Sequence, residues 1–103
     1  MKVKKIFLAF KKELTKLPTK ECIVGKRLIL LCRVKNKYYA TDGICTHEQI
    51  PLAAGGLHKT IITCPMHGAK FDVTTGEVKA LPATETLKTY SVEVQGEKIY
   101  AFV

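Results

Sequence analysis

No stretch of this sequence approaches the run of about 18 or more apolar residues that a membrane-spanning helix needs. Acidic residues are also scarce, nine against seventeen Lys and Arg, which gives a net charge of +8. That balance favours an acidic protein partner, nucleic acid or an anionic membrane surface, and charge alone does not choose among them. The lysine-rich N-terminal segment lacks the interleaved aromatics that stack on bases, so it reads as a solvated, partner-steering face and not as a nucleic-acid site. Internal repeats, linkers and low-complexity segments are absent. The 103 residues therefore form one domain, residues 1–103, large enough for its own core. Cysteines number only four. Cys22 and Cys32 lie in apolar runs, where a cysteine behaves as a small buried hydrophobe. Two free thiols are expected there, not a bridge, which fits a reducing cytosol. Lys2-Val3-Lys4-Lys5 followed by Ile6–Phe10 mimics a signal peptide faintly, but the apolar part is short and no small-residue cleavage site follows. A cytoplasmic protein is expected.

What is present reads mainly as strand. Ile6–Phe10 is an edge strand with lysines at both ends, followed by a helical turn over Lys11–Leu17 that Pro18 stops. A basic amphipathic helix over residues 2–17 is the sharper alternative, but the apolar residues cluster instead of recurring every three or four. Cys22–Val24 and Leu28–Val34 flank a turn at Gly25-Lys26, placing Cys22 near Ile29, and the second run is apolar enough to be buried on both faces. Lys35-Asn36-Lys37 turns the chain into Tyr38–Thr41. Ile61–Thr63, then Phe71–Val73 and Val78 around Thr75-Gly76, supply further strands. Tyr90, Val92 and Val94 alternate with polar residues, and Gln95-Gly96-Glu97 turns that strand into Ile99–Val103. The tyrosines fall in strands and read as packing. An all-β sandwich or partly closed antiparallel barrel follows.

Chemistry concentrates in Cys45-Thr46-His47 and, sixteen residues on, Cys64-Pro65-Met66-His67-Gly68. Pro51 and Gly55-Gly56 between them let the chain return so that both segments converge. Two thiolates and two imidazoles on two loops hold either zinc or an iron–sulfur cluster. A zinc finger pairs its cysteines and its histidines separately, whereas here each loop offers one of each. A structural zinc module binding nucleic acid is the alternative reading. Thr46, Pro65 and Gly68 are candidates for supporting the ligand loops, Gly68 through a close backbone approach or a positive φ. His58, with no cysteine at ligand spacing, reads as a solvated histidine on an exposed turn.

Those two segments, with Phe71-Asp72-Val73, Thr75-Gly76-Glu77-Val78 and Pro82-Ala83-Thr84, resemble the Rieske domain family over roughly residues 20–103, and its small, soluble, low-potential ferredoxins in particular. The resemblance implies a [2Fe-2S] cluster with Cys45 and Cys64 on an inner iron and His47 and His67 on an outer one. It also implies a cluster-binding subdomain at about residues 43–70 inserted in the β base. Two ferric ions, two sulfides, two thiolates and neutral imidazoles sum to no charge, so an added electron is accepted more readily than by a four-thiolate centre. The implied role is a one-electron carrier without turnover of its own, serving a reductase, an oxygenase or both.

Neither the Rieske subunit of a cytochrome bc complex, with its N-terminal anchor, nor a Rieske oxygenase, with its further catalytic domain, is expected. In high-potential members a disulfide links the ligand loops, at positions held here by Ile50 and Met66, which are expected to touch instead. Those members also carry Ser and Tyr hydroxyls where this chain has Ala69 and Phe71. The family's third, proline-containing loop matches Leu81-Pro82-Ala83, with Leu81 in place of the usual Gly.

Overall fold

The computed structural model describes residues 3–46, 49–66, 68–81 and 83–103. Among these residues eleven strands form three antiparallel sheets. The first joins β1 (Lys5–Phe10), β11 (Lys98–Phe102) and β10 (Val92–Gln95) in the order β1-β11-β10. The second runs β2 (Thr19–Val24), β3 (Arg27–Val34), β4 (Lys37–Asp42) and β9 (Thr89–Tyr90). The third runs β5 (Leu57–His58), β6 (Ile61–Thr63), β7 (Lys70–Asp72) and β8 (Val78–Ala80). The expected all-β architecture is what forms, and β1 is an edge strand as its flanking lysines suggest. Its strand geometry excludes a helix over residues 3–10, and the helical turn shortens to a 3-10 segment at Lys11–Leu14.

β3 explains why its run is apolar almost throughout. Ile29 and Leu31 enter a core with Leu8, Ala9, Ile99 and Ala101 of the first sheet. Leu30 and Cys32 point the other way, into a core with Ile62 and Phe71 of the third sheet. Alternate side chains thus fill two cores, so no position of the strand's centre is left for a polar residue. Cys22 pairs with Ile29, as the hairpin reading places it, and Cys22 and Cys32 are buried free thiols. In β1 a bulge between Phe7 and Ala9 lets two successive residues, Leu8 and Ala9, both turn inward.

The alternating stretch from Tyr90 is not one strand. Tyr90 pairs with Ala40 in the second sheet, whereas Val92 pairs with Ala101 in the first. The chain changes sheets at Ser91, whose carbonyl accepts the Phe102 N–H at 3.0 Å. Tyr90 is buried, but Val94, near the end of an edge strand, stays 39% exposed. The alternation is satisfied only where a second layer covers it.

Candidate metal centre

Each ligand segment begins where a strand ends. β4 delivers the first, and its loop is closed on itself: the Cys45 N–H donates to the Ile50 carbonyl at 2.9 Å, and Ile44 bridges Pro51. The Gly43 N–H donates to the Leu28 carbonyl at 2.9 Å, holding the loop's root to β3. At that root the Tyr90 hydroxyl donates to Asp42 at 2.5 Å. Burial, then this bond to a carboxylate, raises the Tyr90 phenol to about 12. β6 delivers the second segment, closed by the Cys64 N–H donating to the Ala69 carbonyl at 2.7 Å. Gly68 lies at φ +73°, with open space where a Cβ would stand. A left-handed turn, not a close approach, is what requires glycine there.

Gly55 does the reverse. Its backbone is extended, yet a Cβ would lie 1.7 Å from the Thr63 carbonyl oxygen, immediately before Cys64. The bend after the 3-10 turn Leu52–Ala54 is therefore pressed directly onto the end of β6. A third segment, residues 83–88, is tied down at three points, the first being the Asp42 N–H, which donates to the Lys88 carbonyl at 2.9 Å. The Leu87 N–H donates to the Gly76 carbonyl at 2.7 Å, and the Thr46 hydroxyl donates to the Glu85 carbonyl at 2.9 Å. Thr46 thus supports the ligand loops, as expected. Its partner, thirty-nine positions away in sequence, carried no local signal.

Both ligand-segment cysteines end in one core. Cys45 is 2% exposed and Cys64 1%, among Leu52, Ile62, Ala69 and Phe71. Ala69 and Phe71 are fully buried there, so both positions at which hydroxyls are missing lie in the cysteines' own surroundings. His47 and His67, with Pro82, lie outside the described residues. His58 is exposed, as expected, but it ends the short strand β5, paired with Ile61, and does not sit in the turn. Ile50 packs against this core, Met66 is 48% exposed and Leu81 74%.

The two buried sulfurs, from separately closed loops, fit a soft-metal centre. A thiolate in apolar surroundings needs a metal or another cation beside it, and sulfur donors with imidazole suit zinc or iron–sulfur clusters. Comparison with known proteins decides between them. The family model of the Rieske [2Fe-2S] domain matches residues 4–91. The chain belongs to the Rieske [2Fe-2S] domain family. It is 39% identical over 77 residues to the ferredoxin component of a naphthalene 1,2-dioxygenase system of Pseudomonas aeruginosa, covering 75% of this chain and 73% of that one. The solved ferredoxin of Sphingomonas yanoikuyae B1 superposes with a TM-score of 0.91 at 29% identity, over 97% of this chain and 99% of the other. A chain in the complex of reduced oxygenase and oxidized ferredoxin of carbazole 1,9a-dioxygenase gives 0.88 at 29% identity, over 95% and 92%. This Rieske chain accordingly carries a [2Fe-2S] cluster and works as a one-electron carrier, not as an enzyme. The zinc reading has no support among these relatives. Among the described residues no helix is long and apolar enough to cross a membrane.

Proposed function

We propose that this chain takes an electron from a reductase and passes it to the oxygenase component of a dioxygenase-type system, in the cytoplasm. The supporting observation is the pair of buried cysteines brought into one core by two separate loops, in a chain whose relatives include ferredoxin components of such systems. Cys45, His47, Cys64 and His67 hold the cluster, which supplies reversible one-electron exchange when bound. The cysteines anchor it in the core and the histidines hold its outer side, where a partner approaches. The segment of about residues 43–70 works as the cluster-binding subdomain. The chain's own contribution is to fix the ligand loops and keep water from the sulfurs: Leu52, Ala69 and Phe71 pack around the cysteines, while Thr46 and Gly55 set the loop positions. With Ala69 and Phe71 in place of hydroxyl donors, the potential is low for the family.

Iron and acid-labile sulfide analysis, with the visible spectrum of protein from iron-replete expression, tests the ligand set. Two irons and two sulfides per chain are expected. His47→Ala and His67→Ala each lose the centre, and His58→Ala leaves spectrum and potential unchanged. A colourless protein holding one zinc, or a cluster lost with His58 and kept without His47, rules the assignment out. Single-turnover reduction of a dioxygenase oxygenase component by the photoreduced protein tests the partner; no transfer at any ionic strength rejects it.

A further inference from the structure

Four hairpins among the described residues close through two-residue loops: Gly25-Lys26, Lys35-Asn36, Lys59-Thr60 and Gly96-Glu97. In all four the first loop residue has positive φ, +64°, +57°, +56° and +60° in that order. Two loops use glycine there, the residue that adopts this conformation without a steric penalty. The other two use lysine, which has no such licence, since its Cβ crowds the backbone in the left-handed region. These two lysines are the positive-φ residues other than glycine among those described. They belong to different sheets, yet both line one cavity of about 570 Å³.

Arg33 lines the same cavity, its guanidinium fixed by donating to the carbonyls of Leu14, at 2.8 Å, and Lys35, at 3.2 Å. Pro18, Val34 and Leu57 form an aliphatic wall. Lys35 also lines two adjoining depressions, one reaching Lys11 and the other Lys37. None of the three is lined by a carboxylate, and none of these five cations is in an ion pair among the described residues. The surface is therefore a grooved, uncompensated basic patch, built at a backbone cost that the two glycine turns avoid.

We infer that this patch docks an extended acidic segment of a protein partner. Adjoining depressions with aliphatic walls and cationic rims take successive side chains, which neither a planar headgroup layer nor a phosphate ribbon presents. Topology separates the patch from the redox centre. β4 starts at the Lys35 turn and ends before Cys45, and β6 starts at the Lys59 turn and ends before Cys64. At about 3.3 Å per residue, those strands hold the patch roughly 10–20 Å from the ligand segments. A partner gripping it leaves the ligand-loop end free to exchange electrons, so the patch acts as a tether.

Fluorescence anisotropy of the cluster-loaded protein with a labelled peptide of alternating Glu and Ala tests this at low and physiological salt. Binding is expected at low salt and weakens as salt rises. Lys35→Gly/Lys59→Gly should weaken it about 2- to 30-fold, the range for two exposed ion pairs. Lys26→Ala/Lys98→Ala removes the same charge elsewhere and should leave binding nearly unchanged. The glycine variant should keep its visible spectrum and melt at the same temperature or higher, because the strained turns relax. Equal weakening in both double variants would mean net charge alone binds the peptide, and no binding at low salt removes the site. Stronger competition by oligo(dT) or by phosphatidylserine vesicles, lost in the glycine variant, would give the patch to nucleic acid or membrane instead. A glycine variant that melts lower with binding intact would make the lysines structural.

Discussion

The hydroxyl of Thr46, between the proposed ligands Cys45 and His47, donates to the backbone carbonyl of Glu85 at 2.9 Å. This bond joins the first ligand loop to the third segment. Thr46→Val keeps the shape and deletes the donor, which should cost about 0.5–1.5 kcal/mol. The measurable effect is faster loss of visible absorbance under chelator, with Thr46→Ser restoring the wild-type rate. Identical bleaching in all three proteins would show that the segment is held without it.

Gly55 and Gly56 make a controlled pair. A methyl group on Gly55 meets the Thr63 carbonyl, whereas one on Gly56 meets nothing within 4 Å. Gly55→Ala must push β6 and Cys64 away from Cys45, so it should destabilise by about 1–3 kcal/mol and reduce cluster content. Gly56→Ala should leave both nearly untouched. Thermal unfolding and iron content per chain distinguish the two variants directly.

The potential follows from what surrounds the sulfurs. Ala69 and Phe71 are fully buried beside the cysteines and offer no hydroxyl. Hydrogen bonds to sulfur stabilise the added electron's charge, so the expected potential is at the lower end of the Rieske range, about −150 to 0 mV. Exposed lysines act against this, but salt screens them beyond about 10 Å. Ala69→Ser and Phe71→Tyr should each raise the potential, by up to about 60–130 mV if a bond of about 1.5–3 kcal/mol forms. Protein-film voltammetry reads this, and a wild-type value well above +100 mV would contradict it.

Ile50 and Met66 occupy the positions that the family resemblance assigns, in high-potential members, to a loop-linking disulfide. Thiol reductants should therefore leave the rate of cluster loss unchanged. A reductant-sensitive centre would point to a bridge that these side chains cannot make.

Burial pushes the Cys32 thiol from an ordinary 9.0 up to about 12. The folded state holds that proton more tightly than the unfolded chain. Its contribution to stability is complete below pH 9 and falls away as pH rises through about 12. Cys32→Val removes the titrating group, so its thermal midpoint should fall less steeply across that window than the wild type's. Parallel slopes would mean that other groups set the alkaline limit.

Cys45-x-His47 and Cys64-x-x-His67, the turn residues and the runs of β3 and β11 were legible directly, because each is a local pattern whose chemistry or period needs no partner to be recognised. The two-sided burial of β3 was legible for the same reason: an almost unbroken apolar run admits no polar face. Tertiary structure decided the rest. Tyr90–Gln95 alternates like one strand, but which sheet each half joins depends on layers far away in sequence. Nothing near Gly55 announces Thr63, and nothing near Thr46 announces Glu85, since close approach and hydrogen bonding act across space. Lys35 and Lys59 look like ordinary turn residues until the fold places both at one cavity, in a backbone conformation whose cost only the coordinates reveal.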